Sequence, residues 1–270
     1  MSAFAGDRFA TGLAVTAAVD VVAFGATWFA ARRIARYNIV DVCWSLVILA
    51  MTAASFRWSV HAHGDLARRT LVLAMTAVWA LRLAWHIHRR NRGHGEDPRY
   101  TAILRKAPGS VASYAVRRVF VPQAVIAFAV SMPLQIAMYQ RGSRPFLDVL
   151  GALVFATGFL FEAIGDAQLA RFIRDRSSDA EVMDRGLWRY TRHPNYFGES
   201  LLWFGLWLPA AGDWRGLAAV VSPVVVTYLV GFATGKPMLE KGMAKRKPAY
   251  ADYMARTSGF LPLPPRRDTP

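Results

Sequence analysis

The residues best suited to chemistry lie together at the start of an apolar run. Positions 186–199 read Gly-Leu-Trp-Arg-Tyr-Thr-Arg-His-Pro-Asn-Tyr-Phe-Gly-Glu, and the apolar run extends from 197 to 211. Polar groups concentrated at the end of a membrane helix usually hold a ligand. The alternative is a basic loop followed by an aromatic belt at the membrane surface. The candidate ligand-binding residues in this stretch are Arg192, His193, Asn195, Tyr196 and Glu199.

Two carboxylates precede this stretch at helical spacing. Glu162 and Asp166 are four residues apart, so they share one face of a helix. Like charges this close repel each other unless cations lie nearby, and Arg171 and Arg174 follow directly. The sequence therefore predicts a charged site at the end of the fifth apolar run, with a solvated helix end as the alternative.

Two further ionisable residues lie within apolar runs. Arg82 is near the end of the third run, with His86 one helical turn later. Such residues are costly in a membrane and mark sites by default, although an arginine can also snorkel to the interface. Asp20 lies in the middle of the first run and is a possible partner for Arg82.

Asp41 lies near the start of the second run, between apolar neighbours. Desolvation disfavours the charged form of such a carboxyl group. A neutral carboxylic acid can donate a hydrogen bond to a carbonyl oxygen and so stabilise an enolate. The alternative interpretation makes Asp41 the N-cap of the second helix.

Composition indicates a membrane protein, because 54% of the 270 residues are hydrophobic and the mean hydropathy is +0.22. Crossing a bilayer takes about 20 helical residues. Seven runs approach this length, and they predict an all-α bundle that forms a single domain over residues 1–270. The runs are 9–31, 39–56, 70–87, 119–138, 146–165, 197–211 and 217–232.

The basic residues predict the orientation of these seven runs. With the N-terminus outside and the C-terminus in the cytosol, inner segments hold 25 of the 33 Lys and Arg residues and outer segments hold 7. This is the expected excess of positive charge on the cytoplasmic side. The net charge of +15 is therefore mostly a consequence of topology. It favours anionic lipids or a phosphate-bearing cofactor as partners over nucleic acid.

Several classes of site are excluded by the sequence. A single cysteine, Cys43, rules out a disulfide framework and cysteine-rich metal motifs, and the histidine spacing does not predict a metal site. The segment Gly93-His94-Gly95 has Pro98 where the third glycine of a dinucleotide fingerprint would stand, and no strand precedes it. A dinucleotide would therefore bind against loops and helix ends, with its phosphates next to Arg and Lys.

Three stretches resemble the steroid 5α-reductase family, including its bacterial members. Residues 186–190 and 195–199 resemble its Gly-Leu-Phe … Asn-Phe-x-Gly-Glu signature. Asn91-Arg92-Gly93 with residues 99–104 looks like the family's loop after the third span, and Asp166 with Arg171 and Arg174 looks like its acidic-then-basic segment. The matches cover roughly residues 80–260.

The resemblance implies a seven-span reductase of the bacterial inner membrane, with its cofactor site facing the cytosol. Such an enzyme passes a hydride from NADPH to the C=C bond of a hydrophobic enone, such as a 3-oxo-Δ4 steroid. The eukaryotic reductases carry a Gln-Glu pair on the second span, where this chain has Asp41 and Trp44. The predicted catalytic residues are Asp41, Trp44 and Glu199. The predicted cofactor-binding residues are Arg82, Asn91, Arg92, Glu162, Asp166, Arg171, Arg174, Arg192, His193, Asn195, Tyr196, Glu199, Lys236 and Tyr250.

A second resemblance keeps a different chemistry open. Arg192-His193-Pro194-x-Tyr196-x-Gly198-Glu199, with Glu240 and Tyr250-x-x-Tyr253 downstream, is similar to isoprenylcysteine carboxyl methyltransferases. Those enzymes use S-adenosylmethionine and usually carry a Glu-Glu pair late in the chain, where this one has Leu239-Glu240-Lys241. The third hypothesis is a non-catalytic lipid-binding or scaffold protein.

Overall fold

The computed structural model describes residues 4–233 and 235–266, with the side chain of residue 245 left out. These residues form thirteen α-helices and no strand, apart from an isolated bridge between Phe4 and Gln140. The helices are α1 (Gly6–Ile34), α2 (Ile39–Trp58), α3 (Leu66–Asn91), α4 (Pro98–Leu104), α5 (Val111–Ala115), α6 (Val121–Val130), α7 (Met132–Tyr139), α8 (Pro145–Asp175), α9 (Pro194–Trp207), α10 (Trp214–Ala218), α11 (Val221–Tyr228), α12 (Lys236–Arg246) and α13 (Tyr250–Arg256).

Several of these helices join into longer apolar segments. A π-helical turn links α5 to α6, and another follows α11. Six segments in the described part of the chain are long and apolar enough to cross a membrane. They are Gly6–Ile34, Ile39–Ala62, Leu66–Asn91, Val111–Tyr139, Pro145–Asp175 and Trp214–Ala244. The chain is therefore an all-α, multi-pass membrane protein.

The predicted sixth run, 197–211, is not among these six segments. It falls in α9, which has 14 residues and continues into a short 3-10 helix at Leu208–Ala210. At about 1.5 Å per residue an α-helix of this length is shorter than the hydrocarbon core of a bilayer. Six candidate spans are found, and the seventh span and the orientation stay predictions.

The fifth run is longer than the sequence pattern predicts. It was expected to end at 165, but α8 continues for ten more residues to Asp175. Arg171 and Arg174 therefore lie on the same helix as Glu162 and Asp166. The polar residues of the last turns continue the helix because none of them is a Gly or Pro that would interrupt it.

The chain divides into two compact units. The first contains residues 4–148 and 209–219, and the second contains residues 149–208 and 220–266. In the first unit α1, α2 and α3 pack around fully buried side chains that include Ile48, Met51 and Trp79. Asp20 of α1 is also buried, and its Oδ1 accepts no hydrogen bond from the described residues. The predicted organisation as a single domain stays a prediction.

In the second unit α8 and α9 approach closely along a line of glycines. A Cβ atom added to Gly198 would lie 2.4 Å from the backbone nitrogen of Glu162, and one added to Gly158 would lie 2.4 Å from that of Leu202. Gly205 is equally close to the backbone of Phe155. Small residues let helix backbones approach in a membrane, where lipid tails provide little hydrophobic drive for association. This contact sets the distance between the polar groups that the two helices carry.

Candidate functional site

The candidate site is built around the amino-terminal end of α9. Pro194 occupies the first turn of this helix, where the missing N–H costs nothing and φ is already suited to the helix. The preceding turn, Gly186–Arg189, is held against α8, because Trp188 Nε1 donates to the Gly165 carbonyl over 3.0 Å. The Gly186–Glu199 stretch is therefore fixed by buried contacts and is not a free surface loop.

Arg192 is buried at 9% exposure and is held by four bonds. Its backbone N–H donates to the Ser258 carbonyl (2.9 Å), and Nη1 donates to the carbonyls of Thr257 (2.6 Å) and Met254 (3.0 Å). Nε lies 2.8 Å from Glu240 Oε1 and forms an ion pair with it. The guanidinium thus connects the start of α9 to α12, to α13 and to the residue that follows α13.

His193 shares the same carboxylate. Its Nε2 lies 3.0 Å from Glu240 Oε1, and its ring stacks on Tyr196 with centroids 5.2 Å apart and planes 2° apart. Burial lowers the pKa of His193, and its hydrogen bond to Glu240 opposes that shift without cancelling it. The imidazole is therefore neutral at pH 7, with Nε2 as the donor to Glu240.

Asn195 and Asp166 form the polar contact between α9 and α8. Asn195 Nδ2 donates to Asp166 Oδ1 over 3.0 Å, and its Oδ1 accepts from the backbone N–H of Tyr196 over 3.1 Å. Asp166 is buried at 6% exposure. The close approach at Gly165, where a Cβ would meet Pro194 and Asn195 at 3.2–3.3 Å, permits this bond. The structure thus brings together two of the predicted cofactor-binding residues.

Two more carboxylates lie along the same helix pair. Glu199 is buried and accepts from Trp203 Nε1 over 2.9 Å. Glu162 is buried at 3% exposure, one turn before Asp166 on α8. Three carboxylates are therefore buried where α8 and α9 are closest, and groups of this kind are stable in a membrane only when hydrogen-bonded, paired or neutral.

Two tyrosines of α13 complete this part of the second unit. Tyr253 Oη donates to the Trp188 carbonyl, and its ring meets the Tyr250 ring edge-on at 5.7 Å. Burial raises the pKa of Tyr250 to about 12, and Glu240 adds to the shift. Burial raises the pKa of Tyr253 as well, and Tyr250 adds to that shift. Both phenols are therefore donors throughout the physiological range.

Not all of the predicted site residues join this cluster. Arg171 and Arg174 are exposed on α8, and Arg174 forms an ion pair with Asp175 over 2.8 Å. Lys236 begins α12 in the second unit. The other predicted residues belong to the first unit, and these are Asp41, Trp44, Arg82, Asn91 and Arg92.

The surroundings of Asp41 differ from the predicted apolar site. Its Oδ2 lies 3.0 Å from Arg99 Nη2, and its Oδ1 accepts from the Tyr100 hydroxyl. Arg99 also pairs with Asp97 at 2.9 Å. Asp41 is therefore not the lone carboxyl group that the sequence pattern predicts, because Arg99 and Tyr100 contact its two oxygens. The N-cap interpretation is wrong, since Asn38 precedes the first helical residue and Asp41 makes no capping bond.

The contact with Asp41 bears on the protonation state of Tyr100. Burial raises the pKa of Tyr100, and the charge of Asp41 adds to the shift. The Tyr100 hydroxyl therefore keeps its proton and acts as a hydrogen-bond donor.

Trp44 lies one turn after Asp41 and meets Trp79 edge-on at 6.2 Å, and its Nε1 donates to no described residue. Asn91 accepts a bond from Arg36 through its carbonyl, and Arg92 is exposed.

Sequence reasoning missed the partners in both units. Glu240 was recognised only as half of an incomplete Glu-Glu pair, although it binds Arg192 and His193. Arg99 and Tyr100 were noted within a resemblance and given no role. A signal existed in the spacing of Asp97 and Arg99 at the start of α4, where a capping aspartate and a nearby arginine often pair. No metal-binding group of His, Cys, Asp or Glu side chains occurs among residues 4–233 and 235–266.

The described residues thus define an all-helical membrane protein with a buried polar site at a helix end. The chain belongs to a family described as Protein of unknown function (DUF1295), which matches residues 27–257. This family is related to steroid 5α-reductase-like membrane proteins. The chain is also similar to a protein of Schizosaccharomyces pombe (strain 972 / ATCC 24843) described as uncharacterized, with 24% identity over 258 residues, 83% of this chain and 72% of the relative.

Proposed function

We propose that this protein is an NADPH-dependent membrane reductase that acts on the C=C bond of a hydrophobic enone, such as a 3-oxo-Δ4 steroid, and yields the 5α-reduced product. The observation that carries the proposal is the bond between Asn195 and Asp166, which joins two motifs that resemble those of the steroid 5α-reductases. The proposed cell location is the bacterial inner membrane, with the cofactor site facing the cytosol.

The donor set fits a nicotinamide dinucleotide. Asn195 Nδ2 has a second N–H that makes no hydrogen bond within residues 4–233 and 235–266, and its geometry is fixed by Asp166. An amide held in this way can donate to the oxygen of a carboxamide. Arg192, Lys236 and the protonated Tyr250 supply cationic and neutral donors suited to phosphate and ribose oxygens.

The bound NADPH would supply the hydride for the β carbon of the enone. The role of this chain's own residues is to hold the reactants and to stabilise charge. Asp166 orients Asn195, and Glu240 orients both Arg192 and His193. Neutral His193 adds no charge of its own beside the cations Arg192 and Lys236.

In the first unit, we infer that Tyr100 is a donor for an oxygen that gains negative charge and that Asp41 has a positioning role. An enone gains negative charge on its carbonyl oxygen as the β carbon is reduced, and a fixed donor lowers the energy of that charge. The raised pKa of Tyr100 means that it stabilises the oxygen by a hydrogen bond and does not lose its proton. Asp41, held by Arg99, fixes the direction of the Tyr100 hydroxyl.

One observation favours a second candidate, the S-adenosylmethionine-dependent methyltransferase. Arg192 and His193 both bind Glu240, and these three residues belong to the stretches that resemble isoprenylcysteine carboxyl methyltransferases. The buried carboxylates Glu162, Asp166 and Glu199 would also suit a cationic sulfonium.

The nucleotide that binds decides between the two chemistries. Purified protein in lipid nanodiscs is titrated with NADPH and with S-adenosylmethionine, and binding of NADPH is followed by energy transfer from tryptophan to the reduced nicotinamide. Turnover with an enone such as progesterone is followed by mass spectrometry as a gain of two hydrogens. Binding of S-adenosylmethionine without binding of NADPH would exclude the reductase.

A further inference from the structure

A second feature of the second unit lies beside Arg192, and its other lining residues are outside the predicted site. It is a cavity of about 240 Å³ between Arg192 and the chain that follows α13. Thr257, Ser258 and Gly259 form part of its wall, and Arg256 and Arg266 also line it. Three arginines therefore line the cavity.

Gly259 leaves an opening between two cations. A Cβ atom added at Gly259 would lie 2.7 Å from Lys236 Nζ and 3.1 Å from Arg192 Nη2. The absence of a side chain thus keeps a space that both nitrogens face. Gly259 has an ordinary negative φ, so the backbone conformation itself does not require glycine. Glycine at position 259 therefore matters because it leaves space beside the two nitrogens, and not because a turn requires it.

Donors remain unused in this space. Arg192 Nε donates to Glu240 and Nη1 donates to two backbone carbonyls, while Nη2 makes no hydrogen bond within the described ranges. Lys236 Nζ likewise has no partner among residues 4–233 and 235–266. Both nitrogens lie next to the same space beside Gly259, so a ligand there that accepts several hydrogen bonds can engage both of them.

The net charge around the cavity indicates which kind of hydrogen-bond acceptor would bind there. The cations around the cavity are Arg192, Lys236, Arg256 and Arg266. The nearby carboxylates that offset them are Glu240, paired with Arg192, and Asp184, 3.9 Å from Arg256. Two positive charges remain in excess. A phosphate group carries one or two negative charges and presents several acceptor oxygens, and arginine matches its geometry.

We propose that this cavity is a phosphate-binding site, in which Arg192 Nη2, Lys236 Nζ and the groups around Gly259 hold one phosphate. The inference deepens the proposed function and rests on it only for the source of the phosphate, which is a dinucleotide cofactor if that function is right and an anionic lipid headgroup if it is wrong. Gly259, Arg256 and Arg266 are new members of the site.

The test uses the full chain in nanodiscs of zwitterionic lipid and three soluble probes: pyrophosphate, NADPH and NADH. Gly259→Val fills the space without imposing backbone strain, and Lys236→Gln removes one donor. Lys241→Gln removes an equal charge from an exposed position on the same helix and is the control. We expect each of the first two variants to weaken phosphate binding about tenfold or more, since hydrogen bonds to charged groups are among the strong ones. Lys236→Arg should restore most of the affinity.

Comparing the soluble probes with each other and with an anionic lipid identifies the molecule that carries the phosphate. Weaker binding of NADPH with unchanged NADH would place the 2′-phosphate in the cavity, and an equal loss for both would place the pyrophosphate there. In a further arm the protein is incorporated into vesicles with and without phosphatidic acid. If only phosphatidic acid competes with pyrophosphate, the phosphate site stands and the proposed cofactor fails. If no probe separates Gly259→Val and Lys236→Gln from Lys241→Gln, while thermal unfolding shows all three folded, the site is overturned.

Discussion

The close approach of α8 and α9 leads to a prediction for Gly198→Ala. The new methyl group would lie 2.4 Å from Glu162 N, 2.6 Å from the Gly158 carbonyl oxygen and 2.9 Å from Glu162 Cα. These are backbone atoms, which cannot rotate away as the end of a side chain can. Restoring ordinary contact therefore moves the two helices apart by about 1 Å, which is the kind of overpacking that costs roughly 1–3 kcal/mol.

The higher helix propensity of alanine partly offsets this cost. Alanine favours a helix interior over glycine by about 1 kcal/mol. Because all three contacts are with backbone, we expect the upper part of the overpacking range to apply, with a net loss in the free energy of unfolding of about 1–2 kcal/mol. Gly25→Ala in α1 is the matched control, since no atom lies within 4 Å of its added Cβ. That variant should be as stable as the parent or slightly more stable.

The separation of α8 and α9 in Gly198→Ala should also disturb the polar contact between these two helices. Asn195 and Asp166 are joined by a bond of 3.0 Å across the two helices, and a separation of about 1 Å takes it beyond hydrogen-bonding distance. We therefore expect Gly198→Ala to weaken NADPH binding as well as stability. Unfolding is measured by titration with a denaturing detergent, and binding by tryptophan energy transfer at a temperature where the variant is folded. Parent-like stability in Gly198→Ala would refute the glycine contact, and lower stability with unchanged binding would refute its link to the site.

Three further predictions concern single groups. Asn195→Ala should weaken NADPH binding about tenfold, because a contact in a buried site is lost and Asp166 loses a donor; equal affinity in a titration would contradict the cofactor placement. Tyr100→Phe should lower kcat for enone reduction with little change in NADPH affinity, and Asp41→Asn should lower it less, since Asp41 acts through Tyr100; parent-like rates for both would remove the pair from the reaction. The pKa of His193 is lowered by folding from 6.5, so the unfolded chain binds more protons below that value and stability should fall as the pH drops through it. Unfolding curves of His193→Gln should lack this component, and an identical pH dependence in that variant would exclude His193 as its source.

The helical architecture could be predicted from the sequence because length and hydropathy determine most of it. Six of the seven predicted runs appear as candidate spans. The sixth run is not among them, because α9 stops at Trp207 and a short 3-10 helix that contains Pro209 follows it, and hydropathy does not show where a helix ends. The end of α8 was missed for the opposite reason, since polar residues can continue a helix after the apolar pattern has stopped.

The site could be predicted in part. Local spacing placed Glu162 with Asp166 on one helix face, and the resemblance assigned Asp166 and Asn195 to one cofactor site, where the structure shows them bonded to each other. Contacts between residues far apart in sequence were harder, because hydropathy carries no information about them. The bond from Arg192 to Glu240 spans 48 positions, and no periodicity relates the two. Asp41 was misjudged because its sequence neighbours are apolar, while its spatial neighbours Arg99 and Tyr100 come from another helix.

The anchoring of Arg192 also has a consequence for how the chain enters the membrane. The carbonyl oxygens that accept from Nη1 belong to residues 62 and 65 positions later, and Glu240 is 48 positions later. While the ribosome is still making those residues, the guanidinium can be satisfied only by water or lipid phosphate. The start of α9 must therefore remain at the membrane surface during synthesis, and it becomes buried when α12, α13 and the following residues fold onto it. Insertion of this part of the protein is accordingly completed after translation of residue 258, whatever the order in which the earlier helices enter.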